Sequence, residues 1–373
     1  MQSKFTEVAN RIKSIKSNLA QAITAKGVET SPSAAFGEMV SNISKITTES
    51  EVPSVDIETE WIRPLGWPNI EEEPLEPGEI RFLVSDYLND GQNYLNISTT
   101  CRVDWGDGTV DESISSKFHT FNPDAGILTP YGYRVYVVKI KADNGQPLTK
   151  FNYYRNVKHT PILWFYGDMQ AFTELDSKMF GALDQGSLIR RVRFENADNI
   201  TNINCFRNLK ELESVVGLKF GSLTMPCSYF LYNANSLRHL DCELKDVKIT
   251  DGFGTLKRLS KIDGFICEGS NSFKECLTLS SLGKVTLLSS SYLKVEFVPI
   301  TSLEIAYDSE VPPVFDKTTP LKINYTQMGA EALNALMESL PDGNGKNLDI
   351  KNNPGTSSCD TSIATKKNWT VLV

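Results

Sequence analysis

A short apolar phrase recurs five times between residues 209 and 305. In each copy a leucine or isoleucine is followed three residues later by leucine, and then by a further apolar residue. Successive phrases begin 28, 19, 23 and 21 residues apart, close to the period of about 20–29 residues typical of leucine-rich solenoids. Stacked repeats bury a continuous core and present a long surface rather than a single cleft. The phrases are Leu209-Leu212-Val215, Leu237-Leu240-Cys242, Leu256-Leu259-Ile262, Leu279-Leu282-Val285 and Ile300-Leu303-Ile305.

The N-terminal segment, residues 1–48, predicts a helical hairpin. Apolar residues at alternating spacings of three and four form a seam typical of helices that pack side by side. Gly27 ends the first helix, and a start signal near Pro32 begins a second amphipathic helix. We expect the seam to drive oligomerisation or docking; a hairpin that packs only on itself is the alternative. The seam residues are Phe5, Val8, Ile12, Ile15 and Leu19.

The next two segments differ in composition. Residues 49–79 are rich in Pro, Glu, Ser and Thr, which predicts an extended linker. Trp61 and Trp67 interrupt it, and because an indole buries a large area we expect this linker to strap onto a neighbouring module. Residues 80–160 alternate apolar and polar positions between turn signals, a pattern typical of a small antiparallel β-sandwich.

The C-terminal half carries the repeats and a different final segment. Residues 161–325 contain the five phrases and predict the solenoid. Residues 326–373 predict a helix with an apolar face, then short strands and a second helix. Because the last repeat of a solenoid must be covered, this α/β segment is expected to be its cap. The predicted fold is therefore multidomain and mainly β.

The sharpest local motif is V-D-W-G-D-G-T at residues 103–109. Two glycines around an aspartate allow a tight turn with positive φ, and Asp side chains can accept hydrogen bonds from the turn's own amides. We interpret the motif as a structural turn rather than a metal site. The alternative is a calcium site that adds Asp111 and Glu112, but the alternating acidic spacing of an EF-hand loop is absent. The turn residues are Asp104, Trp105, Gly106, Asp107 and Gly108.

Composition and charge exclude several classes of partner. The 373 residues suggest two to four modules, at about 100–200 residues each. No apolar run approaches the ~20 residues of a membrane helix. The net charge is −8 without a dense Lys and Arg cluster, so neither nucleic acid nor a membrane is an expected partner. The acidic run at residues 71–73 has the composition of a solvated face.

Catalytic and cofactor motifs are also absent from the sequence. The three histidines are scattered, and no G-x-S-x-G, Walker or G-x-G-x-x-G pattern occurs. We therefore expect no catalytic residues, no cofactor and no metal. Seven cysteines, an odd number without a C-x-x-C pair, predict small buried apolar residues of a reduced protein.

Three stretches resemble known families. The repeats, with C-F-R-N-L-K-E-L at 205–212 and F-K-E-C-L-T-L at 273–279, resemble BspA-type leucine-rich repeats of bacterial adhesins and phage-encoded proteins, although their spacing is less regular. The W-I-R-P…W-P strap at 61–68, followed by V-D-W-G-D-G-T, resembles a module of tailed-phage structural proteins, and the latter motif also resembles the PKD-type sandwich. The opening A-I-T-A-K-G-V at 22–28 and A-F-G-E-M-V-S-N-I-S-K-I at 35–46 are similar to N-terminal segments of phage tail and fibre proteins.

Together these resemblances imply a non-enzymatic virion protein, a tail fibre or similar appendage whose repeats recognise the host. BspA-type adhesins must be exported, whereas the N-terminus lacks the apolar region of a signal peptide and a virion protein is assembled in the host cytoplasm. The expected partners are other virion proteins at the N-terminal segment, further copies in a trimer, and a host surface glycan or protein. The alternatives are a head-fibre, collar or baseplate adaptor that binds only virion partners, and a bacterial surface adhesin.

Overall fold

A computed structural model describes most of the chain, which divides into two compact units, Met1–Asp56 and Ile57–Val373. The protein is mainly β, with 38% strand and 10% helix, and contains a β-solenoid of about 8 turns. The described residues are 28–43, 61–85, 92–143, 148–155, 161–176, 179–180, 187–203, 206–220, 227–288, 291–307 and 320–373, with 13, 16, 17, 19–21, 23 and 24.

The first unit contains helix α1 (Phe36–Ile43) among its described residues. A small buried cluster joins Ala20 and Ile23 to Ala34 and Met39. Four residues of the predicted seam lie outside the described residues, and the fifth, Leu19, packs half-buried against this cluster. The hairpin is not confirmed, and its role in oligomerisation stays a prediction.

The described part of the second unit is mainly strands, with two short helices near its C-terminal end. The helices are α2 (Ala330–Ser339) and α3 (Ser362–Thr365). The strands are β1 (Glu79–Ser85), β2 (Asn93–Asp104), β3 (Val110–His119), β4 (Ile127–Leu128), β5 (Arg134–Ala142), β6 (Phe151–Arg155), β7 (Ile162–Asp168), β8 (Glu174–Leu175), β9 (Arg191–Glu195), β10 (Asn202–Ile203), β11 (Ser214–Leu218), β12 (Cys227–Ser228), β13 (His239–Cys242), β14 (Lys248–Thr250), β15 (Lys261–Cys267), β16 (Ser270–Ser272), β17 (Ser281–Leu287), β18 (Tyr292–Glu296), β19 (Ile305–Tyr307), β20 (Leu321–Asn324), β21 (Asn347–Asp349) and β22 (Thr370–Leu372).

One ten-stranded sheet joins the antiparallel strands to the first solenoid turns. Its order is β13-β11-β9-β7-β1-β5-β2-β3, with β4 beside β5 and β6 beside β2. Strand β1 pairs antiparallel with both β5 and β7, and from β7 to β13 the neighbours are parallel. A buried core runs without interruption from Ile80 to Trp369. A PKD-like sandwich is therefore not confirmed, because the strands predicted to form it share their sheet and core with the solenoid.

Strands β1 and β7 are buried along their whole length. One face, which includes Phe82 and Phe165, packs into the main core. The other face, with Leu83 and Trp164, packs beneath residues 67–75 in a second cluster. A strand covered on both faces has a continuous apolar run rather than an alternating one, as in F-L-V and I-L-W-F-Y.

The remaining turns stack as two five-stranded sheets, β12-β14-β15-β17-β19 and β16-β18-β20-β21-β22. Of the fifteen apolar residues in the five repeat phrases, thirteen are buried and Leu240 and Cys242 are half-buried against the same core. Phenylalanines fill the interior between the sheets. Phe206 and Phe230 lie 5.8 Å apart between ring centroids, and Phe253 stacks on Phe273 at 5.2 Å.

The C-terminal residues complete the last sheet. Strands β21 and β22 extend β20 in parallel, and α2 contributes Leu333, Leu336 and Met337 to the core. The ammonium group of Lys367 donates to the carbonyl of Leu340 at 2.9 Å, where α2 ends and its carbonyls lack helical partners. The indole of Trp369 donates to the carbonyl of Pro341 at 2.7 Å.

One corner of the solenoid is built from left-handed residues, and none of them is glycine. At five of these positions the backbone N–H donates to a carbonyl of the next turn, that of the residue just before the equivalent corner position. Examples are Thr255 to the carbonyl of Lys274 at 2.9 Å and Phe297 to that of Asn324 at 3.3 Å. Main-chain bonds therefore fix a conformation that side chains disfavour. The column consists of Asn208, Asn233, Thr255, Glu275, Phe297, Tyr325 and Asn352, with φ between 54° and 64°.

Glycine at one of these corners should stabilise the protein. Glu275 has a φ of 62° and an exposed side chain. Because glycine has no Cβ to clash in this conformation, we expect Glu275→Gly to raise the free energy of unfolding by about 0.5–1 kcal/mol. Urea denaturation would measure the change. Glu275→Ala is the matched control, since it removes the carboxylate and keeps the Cβ; an equal gain in both variants would contradict the strain.

Candidate functional site

The outer face of the ten-stranded sheet carries aromatic and charged side chains in rows. Because side chains alternate along a strand, Phe165 and Val192 point into the core, while their neighbours face outwards. Strand pairing aligns one residue from each of β7, β9, β11 and β13 in a single row across the sheet. That row is Trp164, Arg191, Ser214 and His239, and the next row includes Tyr166 and Arg193.

Residues 61–78, here called the strap, cross this face. The indole of Trp67 is buried and donates to the hydroxyl of Tyr133 at 2.9 Å. Trp61 meets the edge of Trp164 with 4.8 Å between ring centroids. The guanidinium group of Arg81, in β1, donates to two carbonyls of the strap at 2.8 and 3.0 Å. Apolar packing and hydrogen bonds together hold the strap on the sheet.

Glu71 joins the strap to both rows. Its carboxylate accepts two hydrogen bonds from Arg191, at 2.6 and 2.8 Å, one from Arg193 at 3.1 Å and one from the indole of Trp164 at 2.7 Å. Burial alone would raise the pKa of Glu71, but Arg191, Trp164 and Arg193 outweigh it and lower the pKa below its usual value. The side chain is 9% exposed, so the charge is held close to the sheet. The expected solvated acidic face is wrong for this residue.

Two open clefts of about 400 Å³ each flank Glu71. Both volumes fall within the range of about 300–1,000 Å³ common for ligand sites. The arginine cleft lies on the first row, and the acidic cleft lies on the second row and beyond it. Besides Glu71, the arginine cleft is lined by Trp61, Arg63, Asn69, Trp164, Arg191 and His239. The acidic cleft is lined by Glu72, Pro74, Leu75, Pro77, Tyr166, Asp168, Gln170, Arg193, Glu195 and Asn196.

The two clefts differ in charge. In the arginine cleft, Arg191 is paired with Glu71, and the exposed guanidinium group of Arg63 has no ion-pair partner among the described residues. In the acidic cleft, Arg193 faces an excess of carboxylates, of which Glu195 pairs with it at 2.8 Å. The arginine cleft is therefore suited to an anionic group, and the acidic cleft to uncharged or cationic groups.

The structure also brings together a serine and a histidine that sequence spacing did not reveal. Ser214 Oγ lies 3.1 Å from His239 Nδ1 and accepts a hydrogen bond from Arg191 Nη1 at 2.9 Å. Ser214 is fully buried, and its hydroxyl links two strands. A nucleophile must be reachable by its substrate, so this geometry favours a structural role for the pair. Ser214 and His239 are aligned by the register of their two strands, which the spacing of residues in the sequence does not show.

The V-D-W-G-D-G-T residues form a tight turn between β2 and β3. Gly106 and Gly108 have φ values of 74° and 87°, and a Cβ on Gly106 would collide with the backbone of Val137. Asp104 accepts a hydrogen bond from the N–H of Gly106 at 3.0 Å. Trp105 is fully buried in the main core. The turn therefore directs the indole of Trp105 into the core, while the carboxylates of Asp104 and Asp107 accept hydrogen bonds from the turn's own backbone.

Asp107 is the centre of this turn. It accepts hydrogen bonds from the hydroxyl of Thr109 at 2.6 Å, the N–H of Asn122 at 3.0 Å and His119 Nε2 at 2.9 Å. The imidazole of His119 in turn stacks on Trp105 with 4.1 Å between ring centroids. Burial alone would raise the pKa of Asp107, but these hydrogen bonds lower it below its usual value. The network therefore holds a buried charged carboxylate.

The carboxylates of the alternative calcium site each have their own donor. Asp111 accepts hydrogen bonds from the indole of Trp105 at 2.9 Å and from Lys117 at 2.8 Å, and Glu112 pairs with Arg102 at 3.0 Å. Within the described part of the chain, no three His, Cys, Asp or Glu side chains are grouped so that they could hold a metal ion.

The described cysteines are free thiols. Burial raises the pKa of four of them to about 12. Because the thiolate is the reactive form, these side chains are packing groups rather than nucleophiles. They are Cys101, Cys227, Cys267 and Cys276.

Comparison with protein families, curated proteins and solved structures gives no match for this chain. Over the described residues, no helix has the length and apolar character needed to span a membrane. Function must therefore be inferred from the clefts and from the sequence resemblances.

The anchoring of the strap can be tested with two tryptophans. Trp164 donates to Glu71, whereas the buried Nε1 of Trp61 has no hydrogen-bond partner among the described residues. We expect Trp164→Phe to lower the free energy of unfolding by about 1.5–3 kcal/mol more than Trp61→Phe, because only Trp164→Phe breaks a hydrogen bond to a charged group. Urea denaturation of both variants would measure the difference, and equal losses would contradict the role of Glu71.

The Asp107 network should make stability depend on pH. A carboxyl whose pKa is lowered on folding contributes its full stability above its unfolded pKa, here 3.8, and loses it as the pH falls through the folded value. We expect Asp107→Asn to cost about 1–3 kcal/mol at pH 7, because buried donors lose their acceptor. The difference in the free energy of unfolding between Asp107→Asn and the native chain should decrease below pH 3.8. Urea denaturation between pH 7 and pH 3 would test this, and a constant difference would contradict it.

Proposed function

We propose that the protein is a non-enzymatic structural component of a tailed-bacteriophage virion, a tail fibre or tail appendage that recognises the host surface. The observation that carries this proposal is the pair of open clefts on the outer face of the solenoid sheet, on both sides of Glu71. A solenoid offers such an extended face for many weak contacts, and several copies on one particle raise the strength of attachment.

The sequence resemblances supply the virion setting. The buried repeat phrases on stacked turns support a solenoid of the leucine-rich-repeat type, with residues 326–373 as its cap. Residues 1–48 would then join the protein to other virion proteins and assemble it as a trimer. The turn at Asp107 supports the resemblance to the phage module that carries the same motif.

The chemistry of the clefts favours binding over catalysis. Glu71 is shared by both clefts, and its carboxylate is occupied by three donor side chains. Ser214 is buried beneath the arginine cleft. A general base needs a free lone pair within reach of a substrate proton, which Glu71 lacks. Aromatic and arginine side chains are instead enriched where proteins bind partners.

A second candidate function is a head-fibre, collar or baseplate adaptor that binds only virion partners. An exposed apolar patch that includes part of the strap favours it: Leu65 is 70% exposed, Tyr131 68% and Leu128 60%. Gly66 lies against Pro130, so the strap and the β4–β5 loop share this patch. Exposed apolar patches commonly mark protein contacts.

The test uses the intact second unit, because β1 pairs with β7 and a fragment of the solenoid alone would lose that neighbour. We expect the full chain and a chain that begins at Ile57 both to bind susceptible bacteria and to slow phage adsorption. Only the full chain should oligomerise in light scattering and enter particles, since both properties are assigned to the first unit.

The control separates the two candidate functions. A non-susceptible bacterial strain should bind neither chain. If the full chain binds no cells, leaves adsorption unchanged and co-purifies with another virion protein, the adaptor function replaces host recognition. If the chain that begins at Ile57 still enters particles, the anchoring role of residues 1–48 is wrong.

A further inference from the structure

We infer that the arginine cleft binds a carboxylated sugar, and that the neighbouring acidic cleft requires the next sugar of the same polysaccharide to be uncharged. This inference rests on the proposed function of host recognition and names its ligand. It depends on three features of the sheet surface: an aromatic wall, an exposed guanidinium group and opposite charges in adjacent clefts.

The aromatic wall is the half-buried indole of Trp61, which packs on the buried indole of Trp164. The two indoles meet edge to face at 4.8 Å between centroids, and the guanidinium group of Arg191 lies 5.0 Å from the Trp61 ring centroid. The face of an indole carries partial negative charge, so the C–H groups of a pyranose ring pack well on it. At about 400 Å³, the cleft is near the small end of ligand sites and suits one or two sugar rings.

The charge in the cleft selects an acidic sugar. Glu71 is neutralised by Arg191 and Arg193, while Arg63, an exposed residue that lines the cleft, has no ion-pair partner in the described part of the chain. A guanidinium group binds a carboxylate through two parallel hydrogen bonds. The chain as a whole carries a net charge of −8, so the positive charge of this cleft is local and not a property of the whole chain.

The acidic cleft restricts the sugar that is linked to the acidic one. It begins two residues further along β7 and β9, at Tyr166 and Arg193, and a rise of about 3.3 Å per residue places it about 7 Å from the first cleft. Carboxylates of Glu72, Asp168 and Glu195 line this cleft together with Arg193, and Glu195 pairs with the arginine. A second carboxylate in the ligand would be repelled, whereas hydroxyl and acetamido groups would find acceptors and donors. The clefts together fit a polymer in which acidic and uncharged sugars alternate.

Calorimetry with the full chain and three defined oligosaccharides tests this inference. The probes are a hyaluronan tetrasaccharide, in which acidic and uncharged sugars alternate, trigalacturonic acid, in which each sugar is acidic, and chitotetraose, which is uncharged. We expect the hyaluronan tetrasaccharide to bind at least about tenfold more tightly than either of the others, as the loss of one charged hydrogen-bonding group implies. Added salt should weaken its binding.

Matched arginine variants assign the binding to the cleft. Arg63→Gln should weaken binding of the hyaluronan tetrasaccharide at least about tenfold, whereas Arg258→Gln, which changes another exposed arginine on a later turn, should not. Equal melting temperatures would show that both variants fold. Equal affinity for the three oligosaccharides, or unchanged binding by Arg63→Gln, overturns the inference. If the chain binds cells but none of these oligosaccharides, the inference fails and host recognition stands; if it binds neither, both fail.

Discussion

The antiparallel pairing of β1 with β7 closes the open edge at the start of the solenoid. The first strand of a parallel stack has unpaired N–H and C=O groups along one side, and such an edge recruits other strands unless it is covered. Here β1 covers it and is itself continued by β5, β2 and β3. The same pairing extends the outer face of the sheet, so the strap has a surface wide enough to lie on.

Anchoring of the strap and formation of the clefts depend on the same atoms. Arg191 and Arg193 are adjacent outward residues of β9, and their like charges would repel without Glu71 between them. With Glu71 held by both arginines, the strap divides one aromatic and charged face into two clefts of different charge. Binding properties and local stability are therefore coupled, because a change at Glu71 alters both the fold of the strap and the shape of each cleft.

Local patterns in the sequence were sufficient for the repeat core and for the turn at 103–109. The repeat phrase that contains Leu259 predicts that this leucine is buried. Two glycines beside an aspartate are typical of a turn with positive φ. Long-range relations were not accessible. Glu71 stands in an acidic run that is typical of a solvated face, and its main partner, Arg191, is 120 residues away. The pairing of β1 with β7 was likewise hidden, because a strand with a continuous apolar run, such as F-L-V in β1, does not identify its neighbours.

The left-handed corner column places a row of side chains on a backbone frame that runs from turn to turn. Its backbone is held by main-chain hydrogen bonds from turn to turn. Some side chains add contacts between turns: Asn233 donates to Asn208 at 2.8 Å and Thr255 donates to Asn233 at 2.6 Å. The rings of Phe297 and Tyr325 stack at 4.3 Å between centroids. Neighbouring turns are about 4.8 Å apart, and each offers one outward position that tolerates an amide, a hydroxyl, a carboxylate or an aromatic ring. An exposed position of this column, such as Glu275, can change without disturbing the core. The solenoid thus has a row of outward side chains on a fixed backbone, through which descendants of this chain could acquire new specificities.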